Sequence, residues 1–256
     1  MEALQQILTR LRKNPNTTSP ALNSYKCEVC KDTSWIVKEN KARRCKCYEI
    51  EQAEMMWENF GINPKDVKPL KEYEPYNDTT KKAKEKAIEY IINFDEIKDK
   101  RENSFCLMGQ AGAGKTHIIT AIGRALINKN IPVVYMPYIE AIRELKASVM
   151  DEVHYNKVIN KYKNAKVLII DDLFKDKVKK GALAGELKEA DLKHIYAIIN
   201  YRYLNYLPTL ISTECTPILL IELDEAIGGR ILESCGKEHG IVFKNDCNYR
   251  LKKYIE

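Results

Sequence analysis

Between residues 109 and 116 the chain reads GQAGAGKT. Gly109, Gly112 and Gly114 let the backbone curl so that successive N–H groups, those of Gln110, Ala111 and Ala113 among them, point at one place, the geometry that binds phosphate oxygens. A helix beginning near Lys115 adds the positive end of its dipole. In such a turn the lysine, Lys115, sets a charge on the β- and γ-phosphates of a nucleoside triphosphate. Thr116 supplies a hydroxyl ligand to Mg²⁺, and His117 follows within the same helical turn. The spacing fits GxxxxGK[ST], and an apolar strand (Ser104 to Met108) enters it while a helix (Lys115 to about Asn128) leaves it. A Gly-rich turn with a chance lysine is the bland alternative, and the flanking elements argue against it.

Fifty-odd residues later comes VLIIDD, Val167 to Asp172. Four aliphatics would carry two carboxylates to the carboxyl end of a buried strand, the edge where open α/β sheets bind ligands. Asp171 is the candidate to hold Mg²⁺, and Asp172 the candidate to orient or deprotonate an attacking water.

A second chemistry is encoded by Cys27, Cys30, Cys45 and Cys47, spaced C-x2-C-x14-C-x-C. Two close pairs of soft ligands suit tetrahedral Zn²⁺. A zone of about 35 residues has little core, so a metal would supply much of its folding energy. Lys41, Arg43, Arg44 and Lys46 crowd the second pair and would favour thiolates. The other four cysteines are scattered, and Cys106 falls in a strand where it reads as a small hydrophobe. In a cytosolic chain a cluster of this kind reads as a metal site before a disulfide framework.

These candidates need a frame. The chain has 256 residues, 45% hydrophobic and 30% charged, with a net charge of +6. That is the balance of a folded protein, and the mild positive excess permits a polyanionic partner without demanding one. No apolar run approaches the ~20 residues of a membrane span, which predicts a cytoplasmic protein without a membrane partner. Residues 1–24 read as an amphipathic helix and a polar linker, 25–60 as a cysteine-rich module with an acidic helical tail, and 61–73 as a second linker marked by Gly61, Pro64 and Pro69. From 74 to 256 the text alternates. Helices are expected over 79–93, 138–163 (two) and 187–205, and further strands at Pro132–Met136, Lys166–Ile170 and Thr209–Ser212. This predicts an α/β fold with a mostly parallel sheet flanked by helices.

NSFCLMGQAGAGKTH, VLIIDDLFKDK, IYAIINYRYLNYLPTLISTE, and DEAIGGRILE before a final NYRL together resemble the AAA+ ATPases. Within that class they are similar to the DnaC/DnaI helicase loaders and their phage relatives, a group that includes the transposition helper IstB. The first two stretches correspond to the Walker A and Walker B motifs of P-loop proteins, and the later two narrow the resemblance to loaders. It covers residues 74–256, while CEVCKDTSWI and CKC resemble the amino-terminal part of some loaders.

The resemblance implies an ATPase using ATP and Mg²⁺, self-association through AAA+ interfaces, a DnaB-type replicative helicase as partner, and single-stranded DNA as ligand. It implies that TLISTE contains a γ-phosphate sensor. Relatives often carry asparagine where this chain has Glu214, and Thr213 is the neighbouring candidate. Arg230 would be an arginine finger acting on an adjacent subunit; the second arginine common four residues on is Ser234 here. Arg250 would fill a second sensor role. Each arginine has an alternative reading as a surface salt-bridge partner.

Residues 138–163 carry Arg143, Lys146, Lys157, Lys161 and Lys163 beside Tyr138, Tyr155 and Tyr162. In loaders and initiators such helices line a pore for single-stranded DNA, cations neutralising phosphates and aromatics stacking on bases. Interspersed acids at 140, 144, 151 and 152 leave a solvated helix face as the alternative, and KDKVKK (175–180) reads either as a basic contact or as a solvated loop. Three functions follow: an ATP-dependent helicase loader, an IstB-like ATPase that recruits a transposase to target DNA, or a non-enzymatic adaptor whose ATP site only stabilises the fold, against which the intact Lys115, Asp171 and Asp172 argue.

Overall fold

The computed structural model describes residues 25–38, 41–179, 181–244 and 248–249. The amino-terminal helix and linker read over 1–24 lie outside these residues. The described chain forms two compact units that divide between Cys45 and Lys46.

In the smaller unit β1 (Trp35–Lys38) pairs antiparallel with β2 (Lys41–Arg44), Trp35 opposite Arg44. The Arg44 guanidinium stacks 4.0 Å from the Trp35 ring centroid, a cation–π contact. Before β1 the carboxylate of Asp32 accepts from the backbone N–H of Cys27 at 2.9 Å, which closes the turn that brings Cys27 and Cys30 together.

The larger unit is built on five parallel strands: β3 (Phe105–Gly109), β4 (Val133–Pro137), β5 (Val167–Leu173), β8 (Thr209–Thr213) and β9 (Gly240–Phe243). Their spatial order is β4-β5-β8-β3-β9, so β8 separates the two motif-bearing strands β3 and β5. A small antiparallel pair, β6 (Val178–Lys179) and β7 (Ala182–Leu183), follows β5. Period-two alternation sends Phe105, Leu107, Val167 and Ile169 to one face of the sheet and Cys106, Met108, Leu168 and Ile170 to the other.

Helices cover both faces, as a parallel sheet requires. The first face is covered by α1 (Lys46–Asn59), α2 (Asp78–Ile97) and α3 (Lys115–Asn128). The second is covered by α4 (Tyr138–Ala147), α5 (Glu152–Lys163), α6 (Glu189–Leu204), α7 (Pro217–Leu223) and α8 (Glu225–His239). No helix of the described residues is long and apolar enough to cross a membrane.

The α/β reading is borne out, with differences of detail. Helix α2 runs four residues beyond 93 because Tyr90, Phe94 and Ile97 continue the apolar stripe, and it starts at a capping box between Asn77 and Thr80. Strand β9 had no counterpart in the sequence reading. And α1, read as the tail of the cysteine module ending at 60, packs in the larger unit: Trp57 is fully buried and donates its indole N–H to the Val133 carbonyl at 2.8 Å. Leu70 and Tyr73, inside the stretch 61–73 read as a linker, are buried in the same core.

Candidate nucleotide site

Strand β3, wholly buried, delivers the chain to the turn at Gly109. Gly109 has φ +97°, and a Cβ there would lie 2.2 Å from the carbonyl oxygen of Phe243. Only glycine lets β9 approach so closely, and the Gln110 N–H donates to that same oxygen at 3.1 Å. Gly114, at φ +83°, is the left-handed residue from which α3 departs.

Lys115 is buried, and its ammonium donates to the carbonyls of Gly109 (2.8 Å) and Gln110 (2.6 Å). Burial drives its pKa down to about 8, against the opposing pull of Glu214 and Asp172. The cation is thus held within the turn by backbone dipoles.

At the end of β5 the carboxylate of Asp171 accepts three hydroxyl protons, one from each of three elements. Thr116 of α3 donates at 2.9 Å, Tyr135 of β4 at 2.7 Å, and Ser212 of β8 makes the third and tightest bond. Burial, and then the charge of Asp171, push the Tyr135 phenol well above its ordinary pKa, so it stays a donor. Ser212 also accepts from the Asp172 N–H at 2.8 Å, tying both acids to β8.

Asp172 faces the other way. The β5–β8 register shifts between Ile170 and Leu173, and Asp172 takes φ +56°. A bulge of this kind re-aims a side chain, here into the adjoining cavity. Burial, with the neighbouring Asp171 charge second, raises the Asp172 carboxyl above the usual range, while the Lys175 ammonium 3.6 Å away opposes the shift.

The cavity has a volume of about 510 Å³ and runs along the turn. Ala111, Gly112, Ala113, Lys115, Thr116 and His117 line it from the turn. Lys68, Tyr73, Tyr76 and Tyr249 line it as well, together with the ion-paired group Asp172, Lys175 and Glu214. His117 packs edge-on against Tyr73 at 5.3 Å, and among the described residues its buried Nε2 has no hydrogen-bond partner.

Other expected residues are not brought here. On β8 the side chains of Ile211 and Thr213 share the far face; Thr213 is fully buried and donates to the Leu173 carbonyl at 2.7 Å. The alternation puts Ser212 and Glu214 on the cavity side instead, so Thr213 does not reach it. Arg230 lies on α8, where it donates to Asn200 Oδ1 (2.9 Å) and the Ala226 carbonyl (2.7 Å) and lies 5.3 Å from the Tyr196 ring centroid. It takes no part in this chain's own cavity. Arg250 lies outside the described residues.

Of the aromatics proposed for stacking, Tyr138 and Tyr162 are core residues, because their helices turn the faces 138/141/142/145 and 158/159/162 onto the sheet. Tyr155 bonds His194 Nδ1 at 3.0 Å. Arg143, Lys146 and Lys157 remain exposed. Within the described part of the KDKVKK stretch, Lys175 lines the cavity and Lys177 is buried between Asp176 and Asp191, while Asp176 and Lys179 are exposed. Tyr135 and Ser212 were missed from sequence; their one visible signal is a hydroxyl at an in-facing position near a strand's carboxyl end.

The sulfurs of Cys27, Cys30, Cys45 and Cys47 all lie within 4.8 Å of one another. The Cys27–Cys45 sulfur separation is 3.8 Å. Four thiolates about 2.3 Å from a tetrahedral centre stand about 3.8 Å apart, so the donor set and spacing fit Zn²⁺. The Cys30 amide, hydrogen-bonded to sulfur, holds the Cys27 thiol down to about 7.

Residues 35–206 match the family of IstB-like ATP binding proteins. The phage-like element PBSX protein XkdC of Bacillus subtilis (strain 168) is 33% identical over 268 residues, covering 97% of each chain. Among solved structures, the DnaC helicase loader is similar at 25% identity and TM-score 0.51, over 69% of this chain and 96% of that one. DnaI matches at 21% identity and TM-score 0.52, over 70% of this chain and 89% of its own.

Proposed function

The chain belongs to the IstB-like ATP-binding family and is a DnaC-like AAA+ ATPase by fold, and from that premise we propose that it hydrolyses ATP to load a replicative hexameric helicase onto single-stranded DNA. The observation carrying the ATPase half is the meeting of the Gly109–Thr116 turn with Asp171 and Asp172 at one sheet edge. In this reading the amides of Ala111 to Gly114 cradle the phosphates, those of Gly109 and Gln110 being bonded to the Cys215 and Phe243 carbonyls, and Lys115 exchanges its carbonyl partners for phosphate oxygens. Thr116 and Asp171 are the residues that would hold Mg²⁺, which offsets phosphate charge when bound. Tyr135 and Ser212 keep Asp171 oriented. Asp172, with its carboxyl pKa raised, takes the proton of the attacking water. Arg230, lying away from its own chain's cavity, serves the neighbouring subunit's nucleotide and so links hydrolysis to self-association. Arg250 keeps its candidacy for the second sensor.

The loader half draws on the likeness to the DnaC helicase loader, which spans nearly all of that chain. The four thiols would hold Zn²⁺, which would supply folding energy to the cysteine-bearing region, and we assign helicase docking to this amino-terminal region. ATP binding then sets assembly, hydrolysis sets release, and the protein works in the cytoplasm. A transposase-helper role is the second reading, favoured by the IstB-like family match.

Mixing the full chain with a DnaB-type helicase and labelled DNA, with and without ATP, decides between them. The loader reading expects co-elution with the helicase and ATP-enhanced, salt-sensitive binding of single strands. Preference for duplex DNA and no helicase complex would transfer the chain to the second reading.

A further inference from the structure

Besides Lys115 the cavity is lined by Lys68 and Lys175, and of these two Lys175 is the one paired with Asp172 and Glu214. Lys175 opens a single 3-10 turn (Lys175–Lys177) directly after Phe174, which sits at φ +59°. Non-glycine residues avoid that region, and such outliers persist where the surroundings over-determine them. Here Phe174 is fully buried, edge-on to Tyr138 at 5.5 Å, and Lys177 is buried against Asp191 at 3.5 Å. The backbone on either side of Lys175 is therefore anchored, and its side chain lines the cavity.

There the Lys175 ammonium pairs tightly with Glu214 and lies 3.6 Å from Asp172. Glu214 stands at the carboxyl end of β8, between the motif-bearing strands. A carboxylate at that place repels a polyphosphate unless a cation neutralises it. Lys115 feels the charges of Glu214, Asp172 and Asp171, and Lys175 is the cation that pairs directly with the first two. The Glu214–Lys175 pair converts a repulsive position into one that presents a half-exposed ammonium beside Asp172.

We propose that Lys175, held by Glu214, is the group that contacts the terminal phosphate of a bound nucleoside triphosphate and distinguishes it from a diphosphate. The assignment rests on the nucleotide reading above and adds a residue to it. Lys115 lies within the turn and serves both nucleotides. Lys175 stands 3.6 Å from Asp172, the carboxylate read above as activating the attacking water, so its contribution falls on the third phosphate and is confined to the triphosphate.

The test measures Kd for the non-hydrolysable β,γ-imido analogue of ATP and for ADP, on the full-length protein. Lys175→Gln should weaken the triphosphate analogue by about 10- to 100-fold, the worth of one charge-assisted bond, and ADP by less than about threefold. Lys175→Arg, which keeps the charge, should stay within about threefold of wild type for both. Lys175→Gln/Glu214→Gln should bind the triphosphate more tightly than Lys175→Gln, because the stranded carboxylate is gone. Equal losses for both nucleotides in Lys175→Gln, an unchanged ratio of the two constants, or a double variant no tighter than the single would overturn the assignment. If wild type binds nucleotide and Lys115→Ala does not, the nucleotide reading survives such a failure. Binding that ignores Lys115→Ala would overturn both.

Discussion

Replacing Tyr135 by phenylalanine removes one oxygen atom that lines no part of the cavity but bonds to Asp171, and the consequences can be worked out. The Tyr135 hydroxyl donates to Asp171 Oδ2 at 2.7 Å, and both groups are buried. The ring itself packs against Trp57 at a centroid distance of 5.3 Å, a contact phenylalanine keeps. No cavity larger than a hydroxyl opens, so the loss is that of a hydrogen bond to a charged acceptor, about 1.5–3 kcal/mol. For a chain of this size that corresponds to a drop in Tm of roughly 3–12 °C. Asp171 retains Thr116 and Ser212, both on its other oxygen, so its carboxylate stays in place with more freedom to rotate. Loss of such an outer partner costs about 10- to 100-fold in metal affinity. Thermal unfolding without nucleotide reads the first effect, and the magnesium concentration that half-supports ATP binding reads the second. A Tm unchanged within a degree, together with an unchanged magnesium requirement, would refute the account of how Asp171 is held.

Asp172→Asn should keep ATP binding and lose turnover, measured by titration calorimetry and phosphate release; full turnover would remove Asp172 as the base. Protein purified without added metal should contain about one zinc per chain by elemental analysis. Cys27→Ser with Cys30→Ser should remove that zinc and leave ATP binding intact, whereas metal-free wild type with a folded amino-terminal unit would refute the four-cysteine metal site. Mixing Arg230→Ala with Lys115→Ala should restore hydrolysis that neither has alone, since an arginine finger is worth ~10³ or more in rate. Silence from a mixture shown to co-assemble would remove the trans role.

The sheet was legible where strands are continuous apolar runs bounded by turn residues, as at FCLMG and VLIIDD. Strand β9 was not, because GIVF is four residues long and follows α8 without a break; the chain turns at Gly236, whose φ of +58° leaves no clear mark among its neighbours. The glycine turn and the acid pair could be named from spacing because their partners are local. Tyr135 and Ser212 could not, since their meeting at Asp171 depends on β4 and β8 flanking β5, and strand order is written in no single stretch of the chain. The same holds for Trp57. Its helix reads as the tail of the cysteine module, and only the contact with β4 shows that it belongs to the larger unit.

The segment after β5 shows why a stretch with so little sequence signal is so strongly held. Asp172 and Phe174 both adopt left-handed φ within three residues, each at a cost of about 1–3 kcal/mol. The chain would relax unless its neighbours opposed it, and they do so from separate elements. Thr213 of β8 donates to the Leu173 carbonyl, Ser212 accepts from the Asp172 amide, Tyr138 of α4 covers the Phe174 ring, and Asp191 of α6 binds Lys177. Asp191 also pairs with Lys146 of α4, so one buried carboxylate joins α4, α6 and the loop. Relaxing either residue would turn the Asp172 carboxylate or the Lys175 ammonium away from the cavity. Strain held from α4, α6 and β8 together is therefore what keeps both charges aimed at the same end of the site.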